Sequence, residues 1–84
     1  MAVPRAVDVI SVCNAEGEIH PLRMQMVDET RQILRVHISE AKRVREITHV
    51  GAEALIFQCR ACVYERELQF QLKYTFRSHT WHLL

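Results

Sequence analysis

Two alternating stretches in the second half constrain the fold most. Phe57, Cys59, Ala61 and Val63 alternate with Gln58, Arg60 and Cys62, and Leu68, Phe70, Leu72 and Tyr74 alternate with Gln69, Gln71 and Lys73. Successive side chains on a strand point to opposite faces, so a period of two reads as two half-buried strands. A tight turn at Glu65-Arg66 would pair Val63 with Leu68, Ala61 with Phe70, Cys59 with Leu72 and Phe57 with Tyr74. A four-residue loop keeps the same parity. Small Ala61 against large Phe70 suits dense packing. A last turn near Arg77-Ser78 returns Trp81 opposite Tyr74 and Leu83 opposite Leu72. All six aromatic residues fall between Phe57 and Trp81, so this meander is expected to anchor the core.

The first half reads as further strands. Residues 6–13 are β-branched and apolar at nearly every position, and only Asp8 and Ser11 interrupt them. Asn14-Ala-Glu-Gly17 has the residues of a type I turn ending on a left-handed glycine. Leu22, Met24 and Met26 then share one face, and Arg23 and Gln25 the other. Pro21 lacks an amide hydrogen, which places it at an edge or a bulge. After a polar turn at residues 27–30, Leu34, Val36 and Ile38 alternate with Arg35 and His37. An odd-length loop sets Met26 opposite Leu34, Met24 opposite Val36 and Leu22 opposite Ile38. Residues 39–50 support two readings: a helix capped by Ser39, or an extended segment rich in β-branched residues. The extended reading is preferred, after at most one helical turn, with Gly51-Ala-Glu as the turn that ends it.

The expected fold is therefore all-β, with at most one short helix. Five to six strands would form a small antiparallel barrel or a strongly curved sheet. A chain of 84 residues makes one domain, 1–84, and buries a modest core. No apolar run is long enough to cross a bilayer as a helix. The start of the chain lacks the apolar stretch of a signal peptide, and three cysteines are an odd number, so a reduced, cytoplasmic setting is expected. A net charge of +1 implies no strong bulk attraction to nucleic acid or anionic lipid.

Several of these segments also match a pattern seen elsewhere: Val9-Ile10-Ser-Val12, Gly17-Glu-Ile19-His-Pro21-Leu-Arg23, Phe57-Gln-Cys59-Arg60, Glu65-Arg-Glu67-Leu68, Leu72-Lys-Tyr74 and Trp81-His-Leu83. With them the chain resembles a group of small uncharacterised bacterial proteins of similar length. The resemblance implies a compact β-rich cytoplasmic protein and no particular activity. Similar sequences carry a glycine near the turn after Val63, where this chain has Tyr64-Glu65-Arg66.

Four kinds of chemistry can be weighed on the residues. Cys59 and Cys62 have the C-x-x-C spacing, and His79 and His82 follow. Together they would offer four zinc ligands. Strand residues three apart point to opposite faces, however, and no glycine is near to make a knuckle. A redox dithiol at Cys59 and Cys62 lacks the helix N-terminus that would activate it. If the strands share one sheet, Arg23, Arg35, Arg60 and Lys73 lie outward with Gln25, His37, Gln58, Gln69 and Gln71. Such a face would bind single-stranded nucleic acid weakly, because base stacking needs exposed aromatics and only Tyr64 is clearly on the outer set. Five histidines (His20, His37, His49, His79 and His82) suit proton transfer, yet no nucleophile motif or phosphate-binding loop accompanies them. The chain is therefore not expected to be an enzyme or to carry a cofactor.

Association remains. Ile33, Ile56 and Cys62 fall off the inward register and would form an exposed apolar strip, and Ile10 and Val12 oppose Val7 and Val9 in parity. A small sheet with apolar residues on both faces suits a homodimer, unless it curls into a barrel that encloses both sets. The leading expectation is a non-enzymatic interaction or adaptor module that self-associates. Single-stranded nucleic-acid binding by the basic face comes second and a zinc-stabilised module third.

Overall fold

The alternation resolves into six strands. A computed structural model describes residues 4–27 and 29–84. They form β1 (Arg5–Cys13), β2 (Ile19–Val27), β3 (Ile33–Ile47), β4 (Ala54–Val63), β5 (Arg66–Thr75) and β6 (Thr80–Leu83). Each strand pairs antiparallel with the next, and β6 returns to β1, so the sheet closes into a barrel in the order of the chain. The described residues contain no helix, and so none long and apolar enough to cross a membrane.

The turns follow local chemistry. Asn14 Oδ1 accepts the backbone N–H groups of Glu16 (3.0 Å) and Glu18 (2.9 Å), and Gly17 sits at φ 83°. That is an Asx-supported turn ending on a left-handed glycine. The β2–β3 loop is odd in length, as Val27 pairs with Ile33, and Met24 faces Val36 and Met26 faces Leu34 as expected. Residues 39–47 are strand throughout, with no helical turn, and the chain reverses around Gly51 at φ 81°. Asp28, in the expected 27–30 turn, lies outside the described residues.

The β4–β5 turn differs from expectation. It is centred on Tyr64 and Glu65, both at positive φ (51° and 63°), and Val63 pairs with Arg66. The two left-handed residues make a two-residue turn whose twist matches the strands it joins. Moving the turn by one residue moves every pair by two. Ala61 therefore faces Leu68, Cys59 faces Phe70, Phe57 faces Leu72, and Tyr74 faces Leu55. The inward set is unchanged because the side-chain period is two. Trp81 opposite Tyr74 and Leu83 opposite Leu72 are as expected.

Bulges shape the rest. The β1–β2 register shifts between Ile10, which faces Arg23, and Ser11, which faces Pro21. Leu22 is the extra residue, beside the proline that marked a bulge in the sequence. The expected pair of Leu22 with Ile38 does not form, because β2–β3 pairing ends at Arg23 and His37 and Ile38 pairs with Ala61 of β4. Ser39 is the extra residue of a β3 bulge, and its hydroxyl donates to the Arg60 carbonyl at 2.9 Å. Val44 is a second extra residue. Through these bends one long strand pairs with β2 over its first part and with β4 over its second.

The core gathers Met24, Val36, Leu55, Phe57, Cys59, Ala61, Leu72, Tyr74 and Trp81. Trp81 lies between two rings, with centroids 5.7 Å from Phe57 and 4.9 Å from Tyr74. Each such pair adds about 0.5–1.5 kcal/mol to the burial of its surface. Ile56, expected in an exposed strip with Ile33 and Cys62, is instead buried. It is flanked across the strands by Arg45 and Lys73, whose aliphatic stems can cover an apolar neighbour. Ile33 pairs with Val27 and Cys62 with Glu67, so the three residues form no strip.

Candidate interaction surfaces

The zinc candidates do not converge. Cys59 is 1% exposed inside the barrel, while Cys62 is exposed outside it. The His79 Nδ1 is 2.9 Å from the Tyr74 hydroxyl, and His82 pairs with Lys73. Among the described residues, no three His, Cys, Asp or Glu side chains gather as metal ligands. Strand alternation separates the two cysteines. Burial pushes the Cys59 thiol up to about 11, with a weaker opposing effect from the Leu72 backbone. A thiol held protonated in an apolar core is a poor nucleophile and a poor ligand. The histidines are dispersed: His20 lines a cleft at one end, His37 a groove on β2–β3, and His49 follows β3.

The four basic candidates also fall into separate places, because barrel closure and the Ser39 bulge turn the wall between them. Arg23 and Arg35 line a groove of about 200 Å³ with Asp8, Ile10, Gln25 and His37. Arg60 borders another groove with Glu40 and Gln69. Its guanidinium is held by Glu67 at 2.8 Å and Glu40 at 3.6 Å, so its charge is largely answered within the chain. Lys73 lies in a row with Arg45, Ile56 and His82. Gln58 and Gln71, between these rows, bond to each other at 3.1 Å.

Two features of the geometry were not legible in the sequence. The first is a cleft of about 760 Å³ where β2 and β3 part. The β1–β2 turn supplies one wall, with Asn14, Glu16, Glu18 and His20, and β3 supplies the other, with Lys42, Arg43 and Glu46. Ala41, Leu55 and Phe57 also line it, as does Phe76, which is exposed just past the end of β5. The Glu18 carboxyl is held below its usual range by the Asn14 amide, then by Glu16, and more weakly by the Arg43 charge across the cleft. The cleft exists because both strands continue after their pairing ends, and only Pro21 hinted at it.

The second is a set of unpaired strand edges with different chemistry. β1 pairs with β6 over Arg5–Val7 only. Beyond that, the edge from Asp8 to Cys13 has no strand beside it among the described residues. Ile10 and Val12, on the outward parity expected for them, are 59% and 47% exposed there. The β3 edge beyond His37 likewise has no second strand among the described residues, but it carries charges of both signs: Glu40, Lys42, Arg43, Arg45 and Glu46. A further exposed apolar pair, Val27 (55%) and Ile33 (53%), sits at the end of β2–β3. No family model matches the chain, and no curated protein or solved structure matches it.

Proposed function

We propose that the protein is a non-enzymatic interaction module that self-associates through the free edge of β1. One observation carries this reading. The segment Asp8-Val9-Ile10-Ser11-Val12-Cys13 combines an unpaired edge with exposed apolar side chains and a single charge. An open, nearly uncharged edge is a template for a second strand, and two copies laid antiparallel satisfy both edges at once. Docking of this kind also supplements the limited burial of a small domain. Native mass spectrometry of untagged, reduced protein at about 10 μM, in the micromolar range common for modest interfaces, tests it. The expected result is a dimer that Val12→Lys converts to monomer while the circular dichroism spectrum is unchanged. A wild-type monomer under these conditions would refute the reading.

A second reading is weak binding of single-stranded nucleic acid. It rests on Arg23 and Arg35, which share one groove with Gln25 and His37 and make no ion pair among the described residues. Contact with two phosphates gives a shallow salt dependence, with a slope near −0.7 per neutralised charge. Titration of a labelled oligonucleotide at two salt concentrations decides it, and loss of binding in Arg23→Ala/Arg35→Ala but not Lys73→Ala is expected.

A further inference from the structure

Between its two bulges β3 presents a four-residue window, Glu40, Ala41, Lys42 and Arg43, paired with β4 on one side only among the described residues. In an antiparallel ladder alternate residues aim both backbone groups at the same neighbour, so part of this window directs donors and acceptors away from β4. Glu40 and Lys42 lie on the outward row, opposite Arg60 and Gln58, and Ala41 lies between them on the inward row, opposite Cys59. A lysine on an edge usually guards against stray pairing. Here a carboxylate two residues before it, on the same face, makes the window complementary to itself. Two antiparallel copies related by a two-fold axis set only the central residue against its own counterpart. With Glu40, Lys42 or Arg43 at the centre, a charge meets its own copy. With Ala41 at the centre, Glu40 faces the partner's Lys42 on the outward side, twice by symmetry. Arg43 then faces the partner's Ser39 at the bulge, and each Arg43 stays in the cleft of its own copy with Glu16, Glu18 and Glu46.

We infer that this window docks on the same window of a second copy, antiparallel and centred on Ala41. Backbone pairing supplies the attraction, and the two Glu40–Lys42 pairs fix the register and select a copy over other strands. The bulges at Ser39 and Val44 keep the added ladder short, and exposed ion pairs add little. The contact is therefore the weaker of the two self-associations, forms well above the concentration that pairs the β1 edge, and fades with salt. It uses a different edge from β1 and stands whether or not β1 pairs. Where both edges pair, assembly goes past the dimer.

The test is amide NMR as a function of concentration, on an Ile10→Lys parent whose β1 edge is silenced by the added charge. Ile10 is exposed and borders the β2–β3 groove, so the cleft is left as it is. The amides of residues 40–43 are expected to shift on concentration to about 1 mM and to return at about 0.5 M salt. Glu40→Lys and Lys42→Glu are each expected to lose this shift, because each sets like charges face to face, and to regain it when mixed. Glu40→Lys/Lys42→Glu leaves the net charge of its parent unchanged and is expected to pair as the parent does. It gives up the 3.6 Å contact of Glu40 with Arg60 as fully as Glu40→Lys does, so its recovery reports the contact between copies. The same series on the wild-type background covers the case of a parent that does not fold. The proposal fails if these amides do not move with concentration, if the shifts map elsewhere, or if the double variant does not recover. The β1 reading is decided separately, by wild-type stoichiometry at about 10 μM, and a monomer there leaves this test standing.

Discussion

The Cys59 thiol shows how burial converts a reactive group into a packing group. Its hydrogen points toward the Phe57 carbonyl at 3.8 Å, and its ionisation is pushed up from 9.0 to about 11. Ellman's reagent should therefore titrate Cys13 and Cys62 promptly and reach Cys59 only on unfolding. The raised value also couples to stability. The folded state holds this proton more tightly than the unfolded chain, so stability is full below pH 9 and falls as pH rises through 11. The loss is about 2 kcal/mol across that window. Denaturant melts should show this slope in the wild type and not in Cys59→Ala. Asn14 acts locally, through two backbone N–H groups and an Nδ2 bond to Glu18 Oε1 at 3.1 Å. Asn14→Ala should cost about 1 kcal/mol in urea unfolding. Part of the loss should vanish at low pH, since the depressed Glu18 carboxyl contributes only above its unfolded value and that contribution fades as pH falls.

At the scale of the element, the β4–β5 turn carries the clearest local conflict. Tyr64 and Glu65 both occupy the left-handed region, which favours Asn and Gly. Tyr64→Asn/Glu65→Gly should raise the unfolding free energy by about 1 kcal/mol, seen as a higher urea midpoint at unchanged slope. The same turn marks where sequence reasoning reached and where it stopped. Alternation identified which residues of β4 and β5 face inward, because parity survives any even shift of register. It did not locate the turn, because neither Tyr64 nor Glu65 is a usual hairpin residue, and the reading settled one residue too late. The bulges behave similarly. Pro21 announced one, but Ser39 and Val44 carry no chemical sign of theirs. Hence the parting of β2 from β3, the cleft, and the splitting of the basic residues into separate patches were not legible. The burial of Ile56 was missed for another reason: it is flanked across the strands by Arg45 and Lys73, whose aliphatic stems can cover it but which a polar–apolar pattern counts as solvent-facing.

For the whole molecule, stability rests on one aromatic-centred core in a small barrel. Leu72 is fully buried between strands, and Leu72→Ala should cost about 2–5 kcal/mol. Domains in general hold only about 5–15 kcal/mol, so this variant is expected to melt at much lower temperature or to be largely unfolded. Closure of the barrel is carried by far less. Every other neighbouring pair of strands is adjacent in sequence, but β1 and β6 meet across nearly the whole chain through Arg5–Leu83, Ala6–His82 and Val7–Trp81. Loop-closure entropy for that one long-range seam must be met by three residue pairs, whereas each hairpin closes over a few residues. The order of assembly follows from this imbalance. The hairpins are therefore expected to form before β1 meets β6. In the native state the same seam is the first to open, so the amides of residues 5–7 should exchange with deuterium well before those of β4.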